Sequence, residues 1–392
     1  REIIKLMTHL IFDPIKGKIK DGTYLVYDPA CGSGGMLTEA EHFALEINPK
    51  AKFHLYGQES QPETFAICKA DMLIKEQDPD KIAFGSTLSN DGFSSLQFDF
   101  MLSNPPYGKT WKIDQPAIVD KKEIIDHRFK IGVPRVNDGQ LLFLMNMVSK
   151  MKKDSELGSR FATIHNGSAL FTGDAGQGES EIRKYLFEND LLEAIIALPN
   201  DLFYNTGIPT YIFILTNKKE KKRKGKLQLI NVTAEKFYSK MRKPLGKKRV
   251  QFDANHIKAI TKLFLDFETN EYSLILDNTD FGYHQITVHQ PEKDEQGNVV
   301  LDSKGKPKSD AKLRDIENIP LKESIDDFFE AEVLPFVPDA WYNPKETKIG
   351  YEVNFAKYFY QYQAPRTLAA ITNDILAIEQ ETENLLKEII EA

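Results

Sequence analysis

The stretch from Thr23 to Met36 sets the terms for the rest of the chain. Thr23-Tyr24-Leu25-Val26-Tyr27 is a short apolar strand that runs into Asp28-Pro29-Ala30-Cys31-Gly32-Ser33-Gly34-Gly35-Met36. An amphipathic helix from about Leu37 to Ile47 follows. Strand, glycine-rich turn and helix in that order open a doubly wound α/β sheet at its ligand-binding end. The glycines let a ligand approach the backbone closely, and the helix N-terminus offers free N–H groups. The spacing is not the six-residue dinucleotide fingerprint, and no Gly-Lys-Ser/Thr follows to make a phosphate loop. An acid closing the strand, Asp28, favours a ligand with a cationic amino-acid part.

A second strand, Phe53-His54-Leu55-Tyr56-Gly57-Gln58-Glu59, ends in a carboxylate about 27 residues past Gly32. An acid at that place pairs with ribose hydroxyls; otherwise it caps the helix of about Pro62 to Lys75. A weak third strand, Lys81 to Phe84, ends in Gly85-Ser86-Thr87-Leu88. Then comes Phe98-Asp99-Phe100-Met101-Leu102-Ser103-Asn104-Pro105-Pro106-Tyr107-Gly108, a buried strand stopped by two prolines. Each proline fixes its own φ and biases the residue before it toward extended backbone, which holds Asn104 and Tyr107 in a stiff turn. A carboxamide, a proline carbonyl and an aromatic face presented together suit a planar ring bearing an amino group. The strand order puts this turn and the glycine turn at the carboxyl edge of one parallel sheet, where ligands bind.

Residues 111–137 are polar and irregular, too long for a simple connection, and read as a functional loop over the cleft. His127 within it lacks partners for a metal site and reads as a surface residue. A strongly apolar helix spans Leu141 to Met151, and Arg160 to Ile164 is a strand entering His165-Asn166-Gly167-Ser168. A helix from Glu179 to Asn189 precedes strands at Leu191–Leu198, Thr210–Leu215 and Lys226–Val232.

A net charge of −7 argues against a nucleic-acid partner, but its distribution does not. From Lys218 to Arg249 there are fourteen Lys/Arg against Glu220 and Glu235, a local +12. A local field decides where a phosphate backbone docks. The run Lys218 to Gly225 reads as a basic loop joining sheet-edge strands, a place for phosphate contact. Beyond about Phe252, helical and irregular segments are expected to dominate, with a hairpin-like stretch from Asp294 to Lys308. Leu368, Ile371, Ile375, Ile378, Thr382, Leu385 and Ile389 then make an a/d seam, to be buried on the chain's own domain or on a partner's helices. Two cysteines, Cys31 and Cys68, are too few for a disulfide framework or a zinc site, which fits a reducing cytoplasm. No apolar run is long enough to span a membrane.

Asp28 to Gly35 together with Asn104-Pro105-Pro106-Tyr107 resembles the adenine-N6 DNA amino-methyltransferases. More closely, the chain resembles the modification (M) subunit of a type I restriction–modification system. Gly57-Gln58-Glu59, Asn137 to Leu144, Asn166 to Gly173, Glu181-Ile182-Arg183, Ala197-Leu198-Pro199, Thr206 to Thr210 and Ile349 to Val353 fit the same pattern. The resemblance implies a Rossmann-like fold, a mixed, mostly parallel seven-stranded sheet with helices on both faces, plus a mainly helical C-terminal region. Residues 1–250 would form the catalytic domain, 251–365 a mixed extension, and 366–392 a docking helix. It implies that Ser33, Gly34, Gly35 and Glu59 contact S-adenosylmethionine, that Asp28 and Gly32 shape its methionine end, and that Ser86 stands where an acid reads its adenine.

Asn104, Pro105, Pro106 and Tyr107 would then carry methyl transfer to the N6 amino group of a flipped adenine in duplex DNA, with no metal. Implied partners are a specificity subunit, a second M subunit and, in the full complex, a restriction motor subunit. The helical domain that precedes the catalytic one in that family is absent, and the chain starts inside a helix without methionine, so a fragment is expected. The same Asn-Pro-Pro-Tyr turn serves enzymes that methylate RNA amino groups or protein glutamine, and a non-catalytic cofactor-binding scaffold is a further alternative.

Overall fold

The computed structural model describes residues 2–360 and 367–391; of residues 381 and 383–391, only the backbone is described. The strands in chain order are β1 (Thr23–Asp28), β2 (Lys52–Glu59), β3 (Ile82–Phe84), β4 (Phe100–Ser103), β5 (Val119–Asp120), β6 (Glu123–Ile124), β7 (Arg160–Asn166), β8 (Leu192–Ala197), β9 (Thr210–Thr216) and β10 (Lys226–Asn231). Beyond them lie β11 (Ser239–Leu245), β12 (Lys248–Gln251), β13 (Ser273–Asp277), β14 (Gly282–His289), β15 (Asp315–Pro320), β16 (Trp341–Tyr342) and β17 (Lys348–Tyr351). The helices are α1 (Glu2–Phe12), α2 (Gly35–Ile47), α3 (Pro62–Ile74), α4 (Gln115–Ile118), α5 (Gln140–Ser149), α6 (Ser168–Phe171), α7 (Gly178–Glu188), α8 (Ala254–Asp266), α9 (Ile325–Phe328), α10 (Phe355–Phe359) and α11 (Leu368–Glu391).

Nine strands form the main sheet, in the order β13-β10-β8-β9-β7-β4-β1-β2-β3. From β3 through β7, every pairing is parallel. β9 runs antiparallel between β7 and β8, and β13 is antiparallel on β10. The expectation of seven strands is therefore corrected to nine. The ninth, β13, is supplied by residues past 250 and covers an edge that would otherwise be open.

The central strands are apolar on both faces because both are covered. Val26, Phe100, Leu102, Ala162, Ile164, Ile212 and Ile214 face one side and join a core with α1, α2, α3 and α8. The alternate residues Tyr27, Met101, Phe161 and Phe213 are equally buried and point the other way, a consequence of the two-residue strand period. On that face, Tyr27 stacks on Phe98 at 4.4 Å, and His165 reaches Gln140 of α5.

The region after β13 is mostly β, which corrects the expected mainly helical character. β14 is the centre of a second, four-stranded antiparallel sheet, paired to β15, β16 and β17. Ile286, Val288, Ile319, Phe329 and Val333 form its small core. The pairing partners are far apart in sequence, and β15 exposes most of its residues, so neither locality nor alternation marks them.

The basic run Lys218–Gly225 is also placed differently from the expectation. It connects β9 and β10, both interior strands of the sheet. Thr216 pairs with Arg160, the first residue of β7, so the run sits at the amino edge of the parallel strands. Two of its cations are buried. Lys219 Nζ pairs with Asp190, and the Arg223 guanidinium lies 3.8 Å from Glu193 and over the Phe264 and Phe267 rings at 4.5 and 4.2 Å. Glu193 is itself bonded to Arg160. Burial opposes its charge, but the flanking cations hold its carboxyl below the ordinary range.

Two compact units divide at Phe355. The first carries both sheets. In the second, α11 continues for 24 residues, and Leu368, Ile371, Ile375 and Ile378 are exposed. The Thr382 hydroxyl donates to the Ile378 carbonyl at 2.8 Å. Leu385 and Ile389 of the heptad seam lie outside the residues whose side chains are described.

Candidate functional site

A cleft of about 540 Å³ opens at the carboxyl edge of the parallel strands. Its walls come from the ends of β1, β2, β3 and β4: Pro29 and Ala30, Gln58 to Gln61, Gly85 to Thr87, and Asn104 to Tyr107. Lys109, Phe143 and Asn205 complete it. The structure thus brings Glu59, Ser86, Asn104, Pro105, Pro106 and Tyr107 to one cavity. Asp28, Gly32, Ser33, Gly34 and Gly35 are not among the residues lining it.

The glycine turn is nevertheless tied to the cleft wall. Glu59 Oε2 accepts the Gly32 amide at 3.1 Å, and its Oε1 accepts the Gln61 amide at 2.7 Å. Each carboxylate oxygen keeps lone-pair capacity for a hydroxyl. Ser33 is exposed. Gly34 serves the turn's geometry: its φ is +82°, and a Cβ there would meet Met72 at 2.4 Å and Cys68 at 3.0 Å. That close approach seats the start of α2 against α3. Ser86 Oγ accepts the Leu88 amide at 3.3 Å.

Asp28 is buried beneath both turns. Its Oδ1 accepts from the Ala30 amide at 3.0 Å and the Ser103 hydroxyl at 2.8 Å. One oxygen therefore joins the residues after β1 to the last residue of β4, directly before Asn104. Burial, with the Glu59 charge adding to it, pushes the carboxyl up to about 7.

At the end of β4 the backbone leaves the sheet with Asn104 exposed, Pro105 buried, and Tyr107 half-buried against the core. Neither the Asn104 carboxamide nor the Pro105 carbonyl has a hydrogen-bond partner among the described residues, so both remain available to a ligand. Burial raises the Tyr107 phenol above its ordinary range, which keeps it neutral at physiological pH.

The exit of the turn is clamped by residues to which sequence reasoning gave no role. Asp138 Oδ1 accepts the Gly108 amide at 3.0 Å, and Lys109 O accepts the Gly139 amide at 3.0 Å. Asp138 Oδ2 lies 2.8 Å from both Gln140 Nε2 and Ser168 Oγ. Gln140 Nε2 also reaches Asn166 Oδ1 at 2.7 Å, while its Oε1 accepts the Asn166 amide and faces His165 Nδ1, each at 3.1 Å. Burial lowers the His165 imidazole to about 3, so it stays neutral and its Nδ1 donates to Gln140. The available signal was four polar residues, Asp138, Gln140, His165 and Asn166, beside two apolar elements. Buried polar groups there require one another.

Two further residues fix the other walls. Gln58 Nε2 donates to Gly85 O and Asn90 O at 3.2 and 2.7 Å, and its Oε1 accepts the Gly92 amide at 3.1 Å. Arg128 binds Asp126 at 2.7 Å, Asn146 Oδ1 at 2.9 Å, and the carbonyls of Thr87 and Leu88 at 2.8 Å each. It staples the loop of residues 111–137 to the wall carrying Ser86. The loop is anchored further by buried Trp111 and Phe129, while His127 lies at the surface. No cluster of three or more His, Cys, Asp or Glu suited to a metal ion occurs among the described residues. No described helix is long and apolar enough to cross a membrane.

Comparison with known proteins adds what geometry does not. The family model described as N-6 DNA Methylase matches residues 1–284. The methylase subunit of the type I restriction enzyme MjaIX from Methanocaldococcus jannaschii is 30% identical over 270 residues, covering 68% of this chain and 44% of that protein. The corresponding HindI subunit from Haemophilus influenzae is 30% identical over 238 residues, 59% of this chain and 48% of that one. The chain thus spans less than half the length of either relative. Among solved structures, a type I restriction-modification system methyltransferase subunit from Streptococcus thermophilus matches with a TM-score of 0.59 and 22% identity, over 72% of this chain and 56% of that one. With a family match over most of its length, the chain belongs to the N-6 DNA methylase family.

Proposed function

We propose that this chain is the catalytic part of a type I modification subunit, which methylates the N6 amino group of adenine in duplex DNA. The observation that carries the reading is the unpartnered Asn104 carboxamide and Pro105 carbonyl at a cleft that Glu59 and Ser86 also line.

An S-adenosylmethionine cofactor is supported by the donor set. Glu59 would suit ribose hydroxyls, Ser86 would offer a hydroxyl to the adenine edge, and Ser33, Gly34 and Gly35 would contact the cofactor, with Gly32 and Asp28 shaping its methionine end. When bound, S-adenosylmethionine supplies a sulfonium methyl group that is already activated, so no strong base is required of the protein.

The chain's own work is on the amine. An aromatic amine is a poor nucleophile because its lone pair is delocalised into the ring. Accepting its two N–H bonds with Asn104 Oδ1 and the Pro105 carbonyl favours a tetrahedral nitrogen and orients it for transfer. Pro105 and Pro106 keep these acceptors from relaxing. In a duplex this nitrogen is paired, so the base must leave the stack, and stacking on Tyr107 offsets part of that cost.

Sequence choice would come from a specificity subunit, docked on the exposed apolar seam of α11, with a second modification subunit beside it and a restriction motor subunit in the larger complex. Labelled methyl transfer to duplex DNA, with and without the specificity subunit, tests the reading. Adenine methylation only in its presence supports delegated recognition. Sequence-dependent methylation by the chain alone would make it a solitary enzyme. Transfer to RNA or protein glutamine but not DNA would replace the substrate, and cofactor binding without any transfer would leave a scaffold.

A further inference from the structure

The hairpin formed by β11 and β12 is a strongly basic element held against the rim of the cleft, and we infer that it is a ribbon for the DNA sugar–phosphate backbone beside the target base. The inference rests on the DNA reading above and adds to it a docking surface that the Asn104–Tyr107 turn does not supply.

Three observations carry it. The first is position. Asn205 lines the cleft together with Asn104 and Tyr107. Its neighbour Tyr204 accepts the Lys247 amide at 2.9 Å through its carbonyl, and Asp201 O accepts the Arg249 amide at 2.8 Å. Residues 201–205 follow β8 and the hairpin follows β10, two strands that run parallel, so both lie at the carboxyl edge. The basic run of residues 218–225 lies at the opposite edge.

The second is charge. Some cations of the hairpin are spoken for: Lys240 pairs with Glu235 at 2.7 Å, Lys248 with Glu2, and Arg249 bonds the Gly246 carbonyl at 2.7 Å. Others are not. Arg242, Lys243 and Lys247 are exposed and have no carboxylate within ion-pair distance among the described residues. Three uncompensated cations on one two-stranded ribbon match the regularly spaced anions of a nucleic-acid backbone.

The third is fit at the seat. Gly246 has a φ of +60°, and a Cβ there would come within 2.5 Å of the Tyr204 carbonyl. Only glycine lets the hairpin turn lie on the rim, so the seat is built rather than incidental.

The test measures DNA affinity of the full chain with its specificity subunit as a function of salt, for the triple variant Arg242→Gln, Lys243→Gln, Lys247→Gln. Each lost phosphate contact lowers the slope of log K against log salt by about 0.9, so the slope should fall by roughly two to three. Affinity at about 0.1 M salt should drop on the order of tenfold to a hundredfold, equally on recognised and unrelated duplexes. Cofactor affinity serves as the check on folding and should be unchanged. Gly246→Ala, which keeps every charge but disturbs the seat, should weaken DNA binding in the same direction. A control triple in another exposed stretch, Lys304→Gln, Lys306→Gln, Lys312→Gln, should leave the slope as it was.

An unchanged slope in the hairpin triple overturns the ribbon. So does an equal fall in the control, which would make the effect one of net charge. A loss confined to the recognised sequence overturns it too, since that would be base reading. If the unaltered complex has no affinity for any duplex, the DNA reading itself fails and the ribbon with it, a result separable from all the others.

Discussion

Asp28→Asn separates the charge of a buried carboxyl from its hydrogen bonds. Oδ1 accepts from Ala30 N and Ser103 Oγ, and an asparagine oxygen can keep both. Burial raises the Asp28 carboxyl from 3.8 to about 7 in the native protein. In that interval the native state holds a proton that the unfolded chain has released. Stability is therefore unaffected by this group below about pH 4, falls as the pH climbs from about 4 to 7, and stays lower above. At about 1.36 kcal/mol per pKa unit the whole loss is about 4 kcal/mol, of which roughly 2 to 3 kcal/mol falls between pH 5 and 8.

Asparagine has no proton to release, so the variant should gain that roughly 2 to 3 kcal/mol relative to the parent over the same interval. The assay is urea unfolding of both proteins at pH 5 and pH 8, taking the difference of differences so that other titrations cancel. A variant-to-parent gap that is the same at both pH values would refute a buried neutral carboxyl and mean that Asp28 is already ionised at pH 5, because a carboxyl held as its anion titrates only below about pH 4.

Other perturbations probe the remaining parts of the site. Asn104→Ala should lower methyl transfer by about 10²- to 10³-fold, with stability within roughly 0.5 kcal/mol of the parent, because the side chain is exposed and bonds no described residue. Cofactor affinity by calorimetry should not move; its loss would assign Asn104 a structural role. Asp138→Ala removes the acceptor of the Gly108 amide and one of the acceptors of Gln140 Nε2, which keeps Asn166 Oδ1, so the cost should be about 1–2 kcal/mol. It should lower kcat more than it raises the cofactor Kd, and a variant with parental kcat would rule out the clamp. Glu193→Gln strands Arg160 and Arg223 in the interior and should cost about 3–5 kcal/mol in urea unfolding, at a site across the sheet from the cleft.

How much of this was legible in the sequence depends on the range of the interactions involved. The turns at Asp28–Gly35 and Asn104–Gly108 could be read because proline and glycine restrict or free their own backbone, and the strands leading into them are local apolar runs. The glycines, however, act in a way the motif alone did not reveal. Gly34 is required by Met72 and Cys68 behind it. Asp28 was legible as an acid at a strand end; its bond to Ser103, 75 residues away, was not.

The same holds for charge. Lys219 and Arg223 lie in a continuous basic run, and nothing local distinguishes them from Lys221 and Lys222, which are exposed. Only the tertiary fold brings Asp190 and Glu193 beside them. The sheet around β14 escaped for a related reason, since its strands meet across long intervening segments and β15 is rich in charged, exposed residues.

Arg128 has a consequence for the thermodynamics of encounter. Where an irregular segment of such length orders only when a ligand arrives, fixing each residue then costs roughly 1–2 kcal/mol of conformational entropy. Here the guanidinium has already joined Asp126, Asn146 and the carbonyls of Thr87 and Leu88. That ordering cost is borne during folding of the chain itself. On the proposed function, a nucleic acid reaching the cleft would meet a finished wall, and more of the contact free energy would remain to draw a base out of its stack.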